Sequence, residues 1–297
     1  MPAPHYPHHT VPGRTRVADY AGRHTTTSEL HSRHKRRYPA EVQAAMEQFR
    51  RQFSAALADV RARLADNFDR PGVTDPVSLV SVVIDNEGDT IRARLRDGAT
   101  DGVNAGARMA QRRFDLGVDF DQAPESAIRS VEAVVGSYED DALNTVARSI
   151  EGDLKGWLEE GRTVDEIRDL ILSEGYQADL DARHTETHAR TIVQGAAERG
   201  NHEMMRQAPG VVGERWHATN DGRARESHLD ADGQIAPVEG TFLLVSSDGR
   251  AELLHPGDPN GPIHEIANCR CFATPVFADD LTDDEVAQLR AGRRLNV

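Results

Sequence analysis

Between residues 39 and 207 the apolar residues recur at steps of three and four, with few interruptions. A period near 3.6 over so long a stretch commits the chain to helices whose apolar faces must be covered. The first stripe runs through Val42, Met46, Phe49, Phe53, Leu57, Val60 and Leu64, and Glu41, Gln48, Arg51, Gln52, Asp59 and Arg63 lie opposite. Pro39 stands near the first turn, where a missing N–H is harmless, and Pro71-Gly72 stop the helix. A second helix opens at the Asp75-Pro76 cap and runs to about Phe114, with weak spots at Gly88, Gly98 and Gly102. Its start, Val77–Ile84, is β-branched enough to be mistaken for a strand; we read helix. A third helix, from about Pro124 to Glu160, carries Ile128, Val131, Val135, Tyr138, Ala142, Val146, Ile150, Leu154 and Trp157 on one stripe. Thr163-x-x-Glu166 is a capping box that opens a short helix ending at Gly175. The last helix, about 178–206, carries His184, Thr185, Glu186, His188, Arg190 and Thr191. The backs of these stripes are polar, which suits an elongated bundle or hairpin that packs on partners.

Composition changes at Ala208-Pro209-Gly210. Segments shorten, and Glu214–Thr219, Thr241–Val245, Ala251–Leu254 and Phe272–Phe277 read as strands. Asp248-Gly249 is a hairpin signal between the middle two. Thr282-x-x-Glu285 caps a last short helix, closed by Gly292. The expected fold class is α+β: an elongated, mostly helical N-terminal region followed by a small α+β module. The expected organisation is an arm at 1–38, a helical region at 39–207, the module at 208–278, and a C-terminal helix and tail at 279–297.

Charge separates the arm from the body. The chain of 297 residues has 35 basic and 49 acidic side chains, a net charge of −14. Residues 1–38 hold seven basic and two acidic side chains, so the arm is +5 and the rest −19. Six of the 13 histidines also lie there, and Arg33, Lys35, Arg36 and Arg37 cluster at its end. Such an arm suits nucleic acid or an acidic protein surface; the plain alternative is a loosely specified terminus. Only Lys35 and Lys155 are lysines. An acidic, lysine-poor body fits a protein solvated at high salt, or GC-rich coding alone. No run of 18 apolar residues exists, so no membrane span is expected. The first residues lack an apolar core, so no secretory signal is expected.

The small module concentrates the unusual residues. Cys269 and Cys271, the only cysteines, are two apart. A disulfide across one residue is strained, so ligation is the better use of the pair. Zn²⁺ takes four soft or borderline ligands in a tetrahedron. His228 and His255 complete Cys₂His₂, with His264 or His217 as substitutes for either. The opposing reading makes Cys269 a buried small hydrophobe and Cys271 a strand residue. Asp221, Arg225 and His228 stand at steps of four and three. They read as an Asp–Arg pair that braces the turn under His228, rather than as acid, clamp and base. His184 and His188 give H-x-E-x-H, one position off the zinc-protease order, and read as a solvated helix face. No nucleophile has a paired base, and no glycine-rich phosphate loop is present. Catalysis is therefore not expected. The rival is a zinc-dependent hydrolase, a nuclease or peptidase, with Asp221 or Glu265 as base.

The run Asp221…Arg225…Ser227-His228, then Gly233, His255-Pro256-Gly257-Asp258 and Glu265-x-x-Asn268-Cys269-Arg270-Cys271 resembles the C-terminal domain of the phage Mu F-like minor head proteins. These are also called phage head morphogenesis proteins. The resemblance covers about residues 180–278, and the Arg190-Thr191 helix matches the one that commonly precedes the domain. It implies a minor capsid protein of a tailed virus, associated with the portal vertex and acting in procapsid assembly and DNA packaging or delivery. The implied partners are the portal protein, the major capsid protein or scaffold, and packaged double-stranded DNA. The implied location is the head interior or portal vertex of the virion, and the host cytoplasm during assembly. The metal bets, His228, His255, Cys269 and Cys271, coincide with the family's motif, and Asp221, Arg225 and Asn268 would support them. The acidic, lysine-poor body departs from the family and would suit a virus of a salt-loving host. The rival hydrolase would act during head assembly.

Overall fold

The computed structural model describes residues 38–68, 75–114, 116, 125–220 and 222–296. Asp221 and the arm with Arg33, Lys35, Arg36 and Arg37 lie outside the described residues. Four helices come first: α1 (Ala40–Phe68), α2 (Ser78–Phe114), α3 (Glu125–Glu159) and α4 (Val164–Leu172). A composite helix follows: α5 (Glu174–Leu180), a π segment (Asp181–Thr185), α6 (Glu186–His188), a second π segment (Ala189–Val193) and α7 (Gln194–Gln207). The module is β1 (Val211–His217), α8 (Glu226–Asp230), β2 (Ile235–Pro237), β3 (Phe242–Ser246), β4 (Gly249–Leu253), α9 (Ile263–Ile266) and β5 (Phe272–Phe277). A 3₁₀ turn (Ala278–Asp280) and α10 (Asp283–Arg290) close the chain. Among the described residues no helix is long and apolar enough to cross a membrane.

The α+β reading holds. The whole stripe of α1 is buried, and Val77–Ile84 enters a helix whose start is capped by Asp75, Oδ1 accepting from the Val77 N–H at 3.0 Å. The expected need of the stripes for outside partners is revised. They cover one another in a single core that runs from Val42 through Val83, Leu95, Val146 and Ile171 to Ala273.

Glycine explains how the helices approach so closely. A Cβ at Gly98 would lie 2.3 Å from the Phe49 ring, and one at Gly102 2.6 Å from the Val193 carbonyl. At Gly106 it would meet the Ala197 carbonyl at 1.8 Å, and at Gly200 the Val103 carbonyl at 2.1 Å. The expected weak spots of α2 are therefore contact points. Arg61, buried in the α1 stripe, donates to the Ile171 and Ser173 carbonyls at 2.6 and 2.8 Å. It thereby satisfies the C-terminal end of α4.

Two helix boundaries are decided by side-chain caps. Thr163 and Glu166 make both bonds of the capping box, as do Thr282 and Glu285. The helix after Thr163 ends at Leu172 rather than Gly175. Ser173 is extended and accepts from the Tyr176 N–H at 3.2 Å, so it starts a new helix with Gly175 inside its first turn.

The π segments overturn the solvated face expected for His184 and His188, which are 5% and 3% exposed. Each π turn inserts a residue and swings the following face by about 100°. His188 packs on Phe53 (centroids 5.1 Å) and its Nδ1 meets the Tyr138 hydroxyl at 2.9 Å. Glu186 faces outward instead, to Arg50 at 2.7 Å and Arg190 at 2.5 Å.

The module holds one antiparallel sheet, in the order β2-β1-β5, and the hairpin β3-β4. Ser247-Asp248 form the hairpin turn, and Ser246 pairs with Gly249 at φ 128°. Strand β2 was not foreseen; it is three residues long and ends in proline. Leu295 extends the sheet by bridging Ile235. Helix α7 lies against this sheet with an unusually polar buried face. Glu198 accepts from the Ala273 N–H at 3.1 Å, Asn201 donates to the Ala273 carbonyl at 3.0 Å, and His202 Nδ1 meets Glu214 Oε1 at 2.6 Å.

Gly106→Ala is expected to destabilise the chain by about 3 kcal/mol, because the new methyl must enter backbone. Gly152→Ala, on an open helix face, is expected to stabilise it by about 0.5 kcal/mol. Paired urea titrations measure both. A pH effect follows from His188, whose pKa burial, with His184 beside it, lowers to about 4. An unfolded histidine titrates near 6.5, so the neutral ring's contribution is complete above that pH and is lost on acidification toward 4. The loss is expected to approach about 1.4 kcal/mol per pH unit inside that window. His188→Gln should flatten the fall of the urea midpoint; equal slopes would contradict the assignment.

Candidate metal centre

Three side chains from two distant pieces of the module converge. Helix α8 presents His228 inward, edge-on to Trp216 at 5.5 Å and 83°. Cys269 and Cys271 follow α9 on a sharp turn leading into β5. Asn268 makes the turn by taking φ 55°, a left-handed conformation that Asn tolerates better than most residues. His228 Nδ1 lies 3.3 Å from Cys271 Sγ and 3.8 Å from Cys269 Sγ. One donor atom from each residue lies within 4.8 Å of the others. All three residues are buried: His228 is 2% exposed and each cysteine 3%.

The turn is tied at each step. Arg225, extended just before α8, donates to the Ala267 carbonyl at 2.6 Å. The Asn268 N–H donates to Thr191 Oγ1 at 3.1 Å, and Thr219 Oγ1 donates to the Arg270 carbonyl at 2.6 Å. Thr191 belongs to the second π segment, so the composite helix holds the cysteine turn directly.

The two thiols differ in character. A hydrogen bond from Cys271, opposed by burial and helped by His228, holds the Cys269 thiol well below its ordinary range. Cys271, which gives that bond, is pushed well above it. Of the two, Cys269 gives up its proton more readily. A soft or borderline cation would displace thiol protons as it bound.

The donors fit such a cation. With Zn–S near 2.3 Å and Zn–N near 2.0 Å, a tetrahedral N–S edge is about 3.5 Å. The two observed separations bracket that value. On the far side of the ring, His228 Nε2 lies 3.1 Å from Glu265 Oε2, which also accepts from Ser227 Oγ at 2.8 Å. Burial alone would raise the Glu265 carboxyl; Ser227, Ser246 and His228 together outweigh it and bring it below its ordinary value.

Thiol, imidazole and carboxylate in line also satisfy the geometry of an activated nucleophile. Two observations count against that use. A second sulfur occupies the same ring nitrogen, and the donors are almost wholly buried. A cavity of about 280 Å³ lies between α3, the second π segment and the 257–266 loop, lined in part by Tyr138, Thr191 and Ile266. None of the three donor residues lines it.

The other histidines weighed as ligands lie elsewhere. His255 is wholly buried, but its Nδ1 faces the Pro256 carbonyl at 3.1 Å and its ring is 5.9 Å from His202. It is not in the cluster. His217 Nε2 bonds Thr274 Oγ1 at 2.9 Å, and His264 is 44% exposed. Sequence reasoning missed the contact of Glu265 with His228 and the ties from Thr191 and Thr219. Ser227 beside His228, and Glu265 four residues before Cys269, were the available signals.

Residues 136–274 match the family model described as Phage Mu protein F like protein. The resemblance read from the sequence is thus borne out over this stretch, which is similar to the Phage Mu F-like proteins. The match begins inside α3, upstream of the 180–278 expected from the motifs. No curated protein and no solved structure matches the chain.

Protein purified without chelator is expected to carry zinc, read by elemental analysis. Stripping it should lower the Tm by about 5 °C or more, since metal binding adds directly to folding free energy. Cys269→Ser and Cys271→Ser should each abolish retention, and metal-free protein with an unchanged Tm would contradict the assignment.

Proposed function

We propose that the protein is a minor capsid protein of a tailed virus, seated at the portal vertex and acting in procapsid assembly and in DNA packaging or delivery. The family match over residues 136–274 carries this reading. It takes in the last two thirds of α3, all of α4, the whole composite helix and nearly all of the module. The helices of this stretch lie in one core, which reaches Ala273; the rest of the module's apolar residues form clusters of their own, and α7 is tied to the sheet by buried polar bonds.

In this reading the centre is a zinc clip. It joins α8 to the cysteine turn, which lie 41 positions apart, and so stiffens a module too small to rest on apolar packing alone. The partners are the portal protein and the major capsid protein or scaffold. The basic arm, with Arg33, Lys35, Arg36 and Arg37, reaches toward them or toward packaged double-stranded DNA. The acidic, lysine-poor body suits assembly at high salt, where exposed ion pairs are screened. The protein acts in the host cytoplasm during assembly and then in the virion head.

One observation favours the rival hydrolase: three protein donors leave a fourth position on a tetrahedral metal. Against it stands the state of Glu265, one of the two bases weighed for that chemistry; the other, Asp221, lies outside the described residues. Glu265 Oε2 is taken up by Ser227 and His228.

Cross-linking mass spectrometry on purified particles, quantified against the major capsid protein, tests the proposal. Low copy number with cross-links from this chain to the portal is the expected result. Absence from particles, or abundance matching the shell, would overturn it and bring hydrolase assays forward.

A further inference from the structure

We infer that Glu265 is a positioning residue for the metal centre: held by Ser227, it fixes the ring and tautomer of His228 so that Nδ1 presents its lone pair to the metal. The inference rests on reading His228, Cys269 and Cys271 as a metal site. The argument starts from the ring. An imidazole that ligates through Nδ1 must carry its proton on Nε2. In a buried site that N–H needs an acceptor, or it is left unpaired at considerable cost. Glu265 Oε2 is that acceptor at 3.1 Å, on the side of the ring away from the sulfurs.

The carboxylate is itself fixed. Ser227 Oγ donates to the same oxygen at 2.8 Å, and Glu265 is only 2% exposed. Ser227 adjoins His228 on α8, and Glu265 lies on α9 ahead of the cysteine turn. One carboxylate oxygen therefore links the helix that carries the histidine ligand to the segment that carries the thiolates. Two consequences follow. The ring cannot flip without breaking its bond to Glu265, so the approach of Nδ1 to the sulfurs is set before any metal arrives. The negative charge also makes the imidazole a stronger donor to a cation.

Glu265→Gln separates this role from simple packing. Glutamine keeps the shape and an acceptor oxygen but loses the charge. It can also turn its amide N–H toward Nε2, which stabilises the Nδ1–H tautomer that cannot ligate. The full chain is loaded with Co²⁺ for spectroscopy, and Zn²⁺ affinity is measured by competition with a chromophoric chelator. Nitrogen NMR reports the His228 tautomer in metal-free protein.

For Glu265→Gln we expect Zn²⁺ affinity to fall about tenfold or more, the range seen when such carboxylates are lost. Metal stoichiometry and the thiolate-to-cobalt charge-transfer band should be retained, and the Nδ1–H tautomer should appear. Ser227→Ala, a gentler change, should give a smaller loss in the same direction. Unchanged affinity and tautomer in Glu265→Gln would overturn the inference. So would a lower Tm of the metal-free variant with affinity intact, which would make Glu265 a structural tie alone. Failure of the wild-type chain to bind either metal would defeat the metal reading itself, and is recognised before any variant is compared.

Discussion

The crossing of α2 and α7 sets the rest of the structure. At Gly106 and Gly200 the two helices meet backbone to backbone, with no room for a methyl group, and Gly102 meets the Val193 carbonyl just ahead of α7 in the same way. A helix held that closely has little freedom to roll, so the face it turns away from α2 is also determined. That face carries Glu198, Asn201 and His202, all buried. Buried polar groups must find partners, and these find them in the module: the Ala273 backbone and Glu214. Tight apolar packing on one side of α7 thus imposes a polar contract on the other. The cysteine turn is positioned by the same helix, through Thr191.

Much of this was legible in the sequence wherever the signal was local. The stripes of α1 and α3, both Thr/Glu capping boxes and the β3–β4 hairpin depend on residues within a few positions of each other. The stripes and caps appear where the spacing places them, and the hairpin turn falls one residue earlier, at Ser247-Asp248. The misreadings have physical causes of longer range. His184 and His188 were read as a solvated face because their spacing misses the zinc-protease order, but the π segments shift the helix phase and both rings are buried. Gly175 was read as a helix stop, yet Ser173 supplies a hydroxyl cap that glycine cannot. The glycines of α2 were read as weaknesses because sequence alone does not show the facing helix.

The metal centre divides in the same way. Spacing alone singled out Cys269 and Cys271, and the module's polar turns supplied His228. Choosing among several histidines was a problem in three dimensions. His228 reaches the sulfurs because α8 is short and turns its ring into the core beside Trp216. His255 is just as buried, but its ring lies beside His202. Support came from Arg225, as expected, though through a backbone carbonyl, and from Thr191, which was not foreseen and lies on a helix 77 positions away.

The distance along the chain between His228 and Cys269 has a mechanical meaning. The intervening residues include β2 and the β3–β4 hairpin, and both ends of this stretch reach one cluster. With a metal in place, a pull on the two ends of the protein would pass from α8 through the ion to the cysteine turn. The 40 residues between (229–268) would carry no load, hiding about 140 Å of contour length until a metal–ligand bond broke. The centre would then act as a force-bearing shortcut, yielding in one step rather than unravelling strand by strand.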